Sequence, residues 1–122
     1  MELEQDLDGT MDSVVAEPHY ELVNVGWRMD GRAAVREYYW RIDAGPPPLS
    51  ADGRIVGAAP NTLTYLVTVE FEPGVLSGDL TVLTFDGDLV ASEAFFTCPN
   101  FTEVLRDALG EDFGDVPGVS RI

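Results

Sequence analysis

Strict alternation of apolar and polar side chains in residues 62–72 constrains the fold of this chain more than any other feature. The segment TLTYLVTVEFE has large apolar residues at every second position: Leu63, Tyr65, Val67, Val69 and Phe71. Successive side chains of a strand point to opposite faces, so this pattern predicts a strand with one face on a core. Two further strand-like segments, SGDLTVLTF and DLVASEAFFTC, follow. We therefore expect three long antiparallel strands in the second half of the chain.

The sequence Asp86-Gly87 between the last two of these segments predicts a two-residue hairpin turn, because both central positions of such a turn favour positive φ. Phe85 would then pair with Asp88, and Glu93 would lie opposite Leu80. The same register puts these residues on one side of the sheet: Leu80, Val82, Thr84, Leu89, Ala91, Glu93 and Phe95. Glu93 is thus a lone carboxylate on a largely apolar side.

Helical spacing of apolar residues marks the first half of the chain. One apolar stripe, interrupted by Gly9, predicts a first helix: Leu3, Leu7, Met11, Val14 and Val15. The clearest helix is 31–43, where apolar side chains fall at i, i+3, i+4 and i+7: Val35, Tyr38, Tyr39 and Ile42. Between these helices we expect two short strands around residues 24–26, with Asp30 as a cap for the second helix.

The remaining segments are predicted from turn and cap residues. Residues 46–54 are rich in Pro, Ser, Asp and Gly, which is typical of a surface loop. Asn100 is a good N-cap for a last helix, with Glu103 in the capping-box position and Gly110 at its end. Residues 110–122 have no period, so we expect a tail laid over the surface.

Length and charge limit the classes of protein. A chain of 122 residues, 45% of them hydrophobic, is the size of one domain spanning 1–122. Its 22 acidic and seven basic residues give a net charge of -15, which argues against nucleic acid and anionic membranes as partners. A single cysteine, no visible secretory signal and no apolar run of about 18 residues favour a cytoplasmic protein without a membrane span.

The order of these elements and two short motifs resemble the SnoaL-like branch of the nuclear transport factor 2-like superfamily. The motifs are GRAAVREYY at 31–39 and DGDL at 86–89, and the resemblance covers roughly residues 5–110. It implies an α+β cone, in which a strongly curved antiparallel sheet of about four to six strands wraps around helices. The 31–43 helix would cross the concave side and leave a hydrophobic pocket.

The superfamily includes polyketide cyclases, ketosteroid isomerases, limonene epoxide hydrolases and dehydratases, along with binding and dimerisation modules. Fold alone does not choose among these activities. Many enzymatic relatives carry an aspartate near the end of the last strand, where this chain has residues 95–98, Phe-Phe-Thr-Cys.

Glu93 is the first candidate for catalysis. If its face is concave, the carboxylate projects into an apolar pocket, where desolvation raises its pKa and suits it to proton transfer. If that face is convex or the register slips by one residue, Glu93 is a solvated surface charge. Both alternatives are open at the level of sequence.

His19 is the second catalytic candidate, because it is the one histidine and its ordinary pKa lies near physiological pH. We expect it at a strand start near the pocket mouth; the alternative is a surface turn residue. Aromatic side chains that could line a pocket and orient a carbonyl compound, or else fill the core, are Tyr20, Trp27, Tyr38, Tyr39, Tyr65 and Phe95.

Two hypotheses of function follow. In the first, the protein is a cofactor-independent isomerase, cyclase or hydrolase that binds a small apolar carbonyl compound and moves a proton with Glu93 or His19. In the second, it is a non-catalytic dimeric binding or accessory module. The sequence implies neither a metal site nor a nucleotide cofactor, since it has one His, one Cys and no glycine-rich phosphate loop. A homodimer would use the convex face, with Thr64, Leu66, Thr68 and Phe96.

Overall fold

The computed structural model describes residues 7–45 and 47–122. Its helices are α1 (Leu7–Asp12), α2 (Arg32–Asp43) and α3 (Pro99–Leu109), with a short 3-10 helix at Glu111–Asp115. Its strands are β1 (Val14–Leu22), β2 (Trp27–Asp30), β3 (Ser50–Ala59), β4 (Thr62–Glu72), β5 (Val75–Asp86), β6 (Leu89–Thr97) and β7 (Val119–Arg121).

The described strands form one strongly curved sheet in the order β3-β4-β5-β6-β1-β2-β7. The predicted α+β class with a curved sheet is confirmed. The expectation of about four to six strands, all antiparallel, is wrong, because the sheet has seven strands and β1 runs parallel to β6. The remaining neighbours pair antiparallel.

Two strands, β3 and β7, lie in segments that we predicted to be loop and tail. Strand β3 is exposed along nearly its whole length. Because it has no buried face, its sequence does not need an apolar residue at every second position. Strand β7 is three residues long and adds to the free edge of β2. Neither strand carries the alternation by which a half-buried strand is recognised.

The predicted 31–43 helix is confirmed as α2. The first helix is shorter than predicted: Val14 and Val15 belong to β1, and Leu3 lies outside the described residues. Neither predicted N-cap forms, whereas Gly110 ends α3 as its C-cap, as predicted. Gly31, with φ 95°, is the N-cap of α2, and Asp30 instead binds His19 and Arg28.

At α3 the predicted cap is also replaced. The helix begins one residue before Asn100, at Pro99, whose fixed φ suits the first helical position. Cys98 is its N-cap residue but makes no side-chain capping hydrogen bond; its thiol donates to Oδ1 of Asn100 at 2.7 Å. The amide nitrogen of Asn100 donates to the hydroxyl oxygen of Ser77 at 2.6 Å, so this side chain ties the helix to β5.

The predicted register of the β5–β6 hairpin is wrong. The turn lies at residues 87–88, where Gly87 has φ 61°, and Asp86 pairs with Leu89. Ala91 then has no partner on β5, and this bulge puts Glu93 opposite Leu83 instead of Leu80. The shifted turn changes the register by two residues, so every side chain would stay on the predicted face of the sheet. The one unpaired residue, Ala91, changes the register by one more, which puts Glu93 on the same face as Leu83 instead of Leu80.

The core lies between the concave face of the sheet and α2, α3 and the 3-10 helix. Its fully buried large side chains include Tyr20, Leu22, Met29, Leu109 and Phe113. The outer strands β3 and β4 extend beyond this cover, with Ile55 and Tyr65 exposed on the concave side. No helix within residues 7–45 and 47–122 is long and apolar enough to cross a membrane. The cytoplasmic location stays a prediction.

Candidate active site around Glu93

Glu93 lies on the concave face, where the covered core meets the open outer strands. A row of directly paired residues crosses the sheet there in the order Ala58, Leu63, Leu83, Glu93, Tyr20, Met29 and Val119. On one side of Glu93, Tyr20 and Met29 are fully buried. On the other side Leu83 and Leu63 are half-buried, and Ala58 is exposed. Of the two alternatives for Glu93, the structure has the concave one.

Two tyrosines hold one oxygen of the Glu93 carboxylate. The hydroxyl of Tyr20 donates to Oε2 at 2.6 Å, and the hydroxyl of Tyr39 lies 3.3 Å from the same atom. The two hydroxyls are also 3.0 Å apart, so that either can donate to the other. Every hydrogen bond that the described residues make to this carboxylate goes to Oε2. Oε1 is therefore the oxygen on which a substrate proton can be accepted.

The environment moves the pKa of Glu93 upward. Burial of the carboxylate is the largest cause, the hydrogen bonds from Tyr20 and Tyr39 partly oppose it, and the charge of Asp79 adds to it. Burial also raises the pKa of both tyrosines, beside a further contribution from Glu93. Both hydroxyls consequently stay protonated near neutral pH and act as hydrogen-bond donors.

Four of the six predicted aromatic residues lie together at this site. The Tyr20 ring centroid is 6.0 Å from that of Tyr39 and 6.0 Å from that of Phe95. The Tyr38 ring centroid is 5.1 Å from that of Tyr39 and 5.9 Å from that of Phe95. Because these rings exclude water from one side of Glu93, they account for its desolvation.

Two predicted aromatic residues lie apart from this cluster. Tyr65 lies on β4 opposite Thr81, on the open part of the concave face, with 38% of its surface exposed. Trp27 packs against Phe113, and the Arg121 guanidinium lies 4.6 Å from its ring centroid. Trp27 lines a different cleft of about 340 Å³, which also includes Arg106.

His19 does not join Glu93, and its predicted place at a strand start near the pocket mouth is wrong. It lies within β1 next to Tyr20, so its side chain points to the convex face. There Nδ1 is 2.7 Å from Oδ1 of Asp30, and Nε2 is 2.7 Å from Oε2 of Glu21. These contacts, Glu21 foremost, raise the pKa of His19 against the effect of burial. A catalytic role for His19 stays a prediction.

Asp79 is a buried carboxylate that the sequence analysis missed. It lies on β5 opposite Thr97, so it faces the core beside the segment where enzymatic relatives carry an aspartate. Its Oδ2 accepts a hydrogen bond from the hydroxyl of Thr81 at 2.7 Å, whereas the buried Oδ1 has no partner among the described residues. Burial raises its pKa. The incorrect register had placed Asp79 on the side opposite Glu93.

The clefts described for residues 7–45 and 47–122 are lined by side chains other than Glu93. A hydrophobic pocket at Glu93 stays a prediction; on the side away from the core, the half-buried Leu83 and Leu63 follow Glu93 across the sheet. Within the same residues, His, Cys, Asp and Glu form no group of three that could hold a metal ion.

Solved structures define the fold class. Similar to this chain are a bacterial protein with a cystatin-like fold from Silicibacter pomeroyi (TM-score 0.74, 13% identity, 96% of this chain and 87% of the other covered) and a steroid delta-isomerase from Pseudomonas aeruginosa (0.69, 10%, 89% and 80%). A SnoaL-like polyketide cyclase candidate from Shewanella putrefaciens is also similar (0.64, 15%, 88% and 78%).

No protein-family model and no curated protein sequence matches the chain. At these identities the structural matches show the fold alone. The fold is the nuclear transport factor 2-like fold that ketosteroid isomerase and SnoaL-like structures share, as the sequence resemblance implied.

Proposed function

We propose that this protein binds a small, largely apolar carbonyl compound on its concave face and transfers a proton at the carbon next to the carbonyl, with Glu93 as the base. One observation carries the proposal: two tyrosines hold Oε2 of a desolvated carboxylate while Oε1 is left for a substrate. The raised pKa of Glu93 makes it a stronger base than an ordinary carboxylate, which suits a group that must both accept and return a proton.

The reaction needs three groups. Oε1 of Glu93 takes the proton, and the electron pair of the broken C–H bond moves to the carbonyl oxygen to give an enolate. Tyr20 continues to hold Oε2, so the hydroxyl of Tyr39 is free to turn and donate to the enolate oxygen. In a substrate whose enolate is conjugated with a carbon–carbon double bond, the protonated Glu93 returns the proton to the far carbon of that double bond, which completes an isomerisation without a cofactor.

The surface beside Glu93 supports an apolar substrate. Leu83 is its direct neighbour across β5, Leu63 follows on β4, and both are half-buried. Tyr65 and Ile55 pair with each other in the neighbouring row of the concave face, and both are exposed. An apolar molecule placed over these residues would cover them and further desolvate Glu93.

The alternative proposal is a dimeric, non-catalytic binding module. Two apolar side chains on the convex face, Leu80 and Phe96, are 37% and 43% exposed, and they pair directly with each other. Leu66 extends the same row on β4. Such a contiguous apolar surface supports pairing of two copies through their sheets.

Deuterium exchange tests the catalytic proposal. Purified protein is incubated in D2O with 2-tetralone and 2-cyclohexen-1-one, and deuterium incorporation next to the carbonyl is followed by mass spectrometry. We expect acceleration by the unmodified protein and its loss in Glu93→Gln, which keeps the shape but removes the base.

Glu21→Gln is the matched control, because it makes the same change on the convex face of the neighbouring strand. It should retain the acceleration. If the unmodified protein accelerates neither exchange, the binding module becomes the better proposal.

A further inference from the structure

A cleft at the β2–β7 end of the sheet has no part in the reaction above. Its volume is about 340 Å³, within the range of small-molecule sites, about 300–1,000 Å³. Strand β1, with the fully buried Tyr20 and Leu22, lies between Glu93 on β6 and Trp27 on β2. The cleft is therefore separate from the Glu93 site. Its lining residues are Val25, Trp27, Arg106, Gly110, Glu111 and Arg121.

Arg121 and Trp27 lie together in the wall of this cleft. They are direct partners in the β2–β7 pair, and the Arg121 guanidinium lies 4.6 Å from the centroid of the Trp27 ring. A contact of this kind uses the face of the ring and ties up none of the N–H donors of the guanidinium in a hydrogen bond. In the part of the chain that the structure describes, the Arg121 side chain has no hydrogen bond or ion pair. Its donors are therefore available to a ligand.

The indole ring of Trp27 is held in place by its neighbours. The fully buried Phe113 packs edge-on to it, with 6.0 Å between the ring centroids. Gly114 lies so close that an added Cβ would be 2.6 Å from Cη2 of the indole. The position of Trp27 therefore requires a residue without a side chain at 114. A wall that is already fixed loses little conformational entropy when a ligand binds.

The charge of Arg121 is unusual in this protein. The chain has seven arginines, no lysine and 22 acidic residues. Within the cleft, Arg106 is 2.6 Å from Glu103, whereas Glu111 forms no ion pair with either arginine among the described residues. Arg121 is thus a cation at a cleft of a strongly acidic protein, without an ion-pair partner in residues 7–45 and 47–122. Three arginines elsewhere do pair with carboxylates: Arg28, Arg36 and Arg41.

We propose that this cleft binds a small organic monocarboxylate whose remaining part is apolar or aromatic. The carboxylate accepts hydrogen bonds from the guanidinium of Arg121, with Arg106 as the second cation, and the apolar part lies against Val25 and Trp27. The net charge of -15 disfavours phosphate esters and other multiply charged anions. Burial of the apolar part supplies the rest of the affinity. The cleft shares no residue with the Glu93 site, so this inference does not depend on the proposed function.

NMR titration of the unmodified protein with phenylacetate tests this proposal. Each of the two tryptophans gives its own indole N–H signal, and Trp40, 63% exposed on α2, does not line the cleft. Phenylacetate should shift the Trp27 signal in a saturable way and leave the Trp40 signal unchanged. Phenylacetamide, which has nearly the same shape without the charge, should bind about tenfold more weakly. No saturable shift of the Trp27 signal, or equal binding of the amide, would overturn the proposal.

Arg121→Gln tests the residue that carries the proposal, and it should weaken phenylacetate binding about tenfold. Arg54→Gln is the matched control, because Arg54 is exposed on β3 at the opposite edge of the sheet and its replacement removes the same charge. It should bind phenylacetate as the unmodified protein does. An equal loss in both variants would mean that net charge alone acts, which contradicts a site at Arg121. The comparison of acid with amide needs no variant, so it still decides the proposal should Arg121→Gln fail to fold.

Discussion

The hydroxyl of Tyr20 donates a 2.6 Å hydrogen bond to Oε2 of Glu93, its direct neighbour across the parallel β1–β6 pair. The two residues are 73 positions apart in the chain. Parallel pairing puts both side chains on the concave face, where Tyr20 is fully buried. The candidate base and the tyrosine that donates to it therefore come from distant parts of the chain.

Tyr20→Phe removes that donor. We expect the pKa of Glu93 to rise, because a hydrogen bond that favours the ionised carboxylate is lost. We also expect the free energy of unfolding at pH 7 to fall by about 1–2 kcal/mol. Carboxyl NMR and urea denaturation measure the two effects. Tyr65→Phe, on the open part of the sheet, should change neither, and a similar loss there would contradict the assignment.

Asp79→Asn should stabilise the protein at neutral pH. The folded-state pKa of Asp79 is raised by burial, so the folded state holds its proton where the unfolded chain has lost it. Stability from this group consequently falls as pH rises from the ordinary carboxyl range, about 4, through the raised value. The variant should gain roughly 1 kcal/mol or more at pH 7.

Urea denaturation at pH 3 and pH 7 checks the sign of that effect. The gain in the free energy of unfolding should disappear at pH 3, where Asp79 is protonated in both the folded and the unfolded protein. A gain that is equal at both pH values would mean that it has another cause.

His19→Gln should separate a surface ion pair from a catalytic role. The carboxylates of Glu21 and Asp30 raise the pKa of His19, so its stabilising contribution is present below its unfolded pKa, about 6.5, and declines as pH rises through the raised value. The variant should lose stability at pH 6 relative to pH 9 in thermal unfolding. It should keep the deuterium exchange activity, and loss of that activity would restore His19 as a catalytic residue.

Gly118→Ala should disrupt the β2–β7 edge. Gly118 has φ 90°, and an added Cβ would overlap the backbone oxygen of Asp30 and lie 3.1 Å from Cβ of Ala34. Because a backbone atom cannot move aside cheaply, we expect a loss of about 2 kcal/mol or more in urea denaturation. Gly53→Ala is the control: its nearest contact would be 3.7 Å, and a comparable loss there would argue against this explanation.

Phe96→Glu tests the proposed convex interface. If two copies pair through the row of Leu66, Leu80 and Phe96, a charge introduced at Phe96 should convert dimer to monomer at high micromolar concentration. Sedimentation velocity measures the change. Leu49→Glu, at an exposed position preceding β3, should leave the dimer intact. A monomer already present in the unmodified protein would remove the dimer proposal.

Local patterns of sequence were sufficient for the elements that pack by one face. The alternation of Leu63, Tyr65 and Val67 correctly predicted β4 and its concave side, and helical spacing correctly predicted α2 with Tyr38 facing the core. In both cases the period of the backbone and the need to bury apolar surface act within a few neighbouring residues. Glu93 could be chosen as a candidate because the same local pattern shows it as a carboxylate on a largely apolar strand.

Tertiary structure decided which residues share a site. The bulge at Ala91 changes the partner of Glu93 from Leu80 to Leu83 and puts Asp79, opposite Thr97, on the same face as Glu93. A single unpaired residue leaves no mark on the period of either strand. The parallel pairing of β1 with β6 similarly brings Tyr20 to Glu93 and turns His19 away.

The sequence by itself thus determined the core face of β4 and the position of α2, because these depend on the local pattern of burial. The curved α+β cone was implied by the resemblance to the SnoaL-like family. Strand order and the exposed edge strands depended on long-range pairing, and the β5–β6 register depended on the turn at residues 87–88 and the bulge at Ala91. The sequence of one segment says little about which distant strand it will pair with. Nearly every residue has a backbone N–H and C=O that can bond to any neighbouring strand. The residues around Glu93 were therefore determined by the pairing of strands that are distant in sequence.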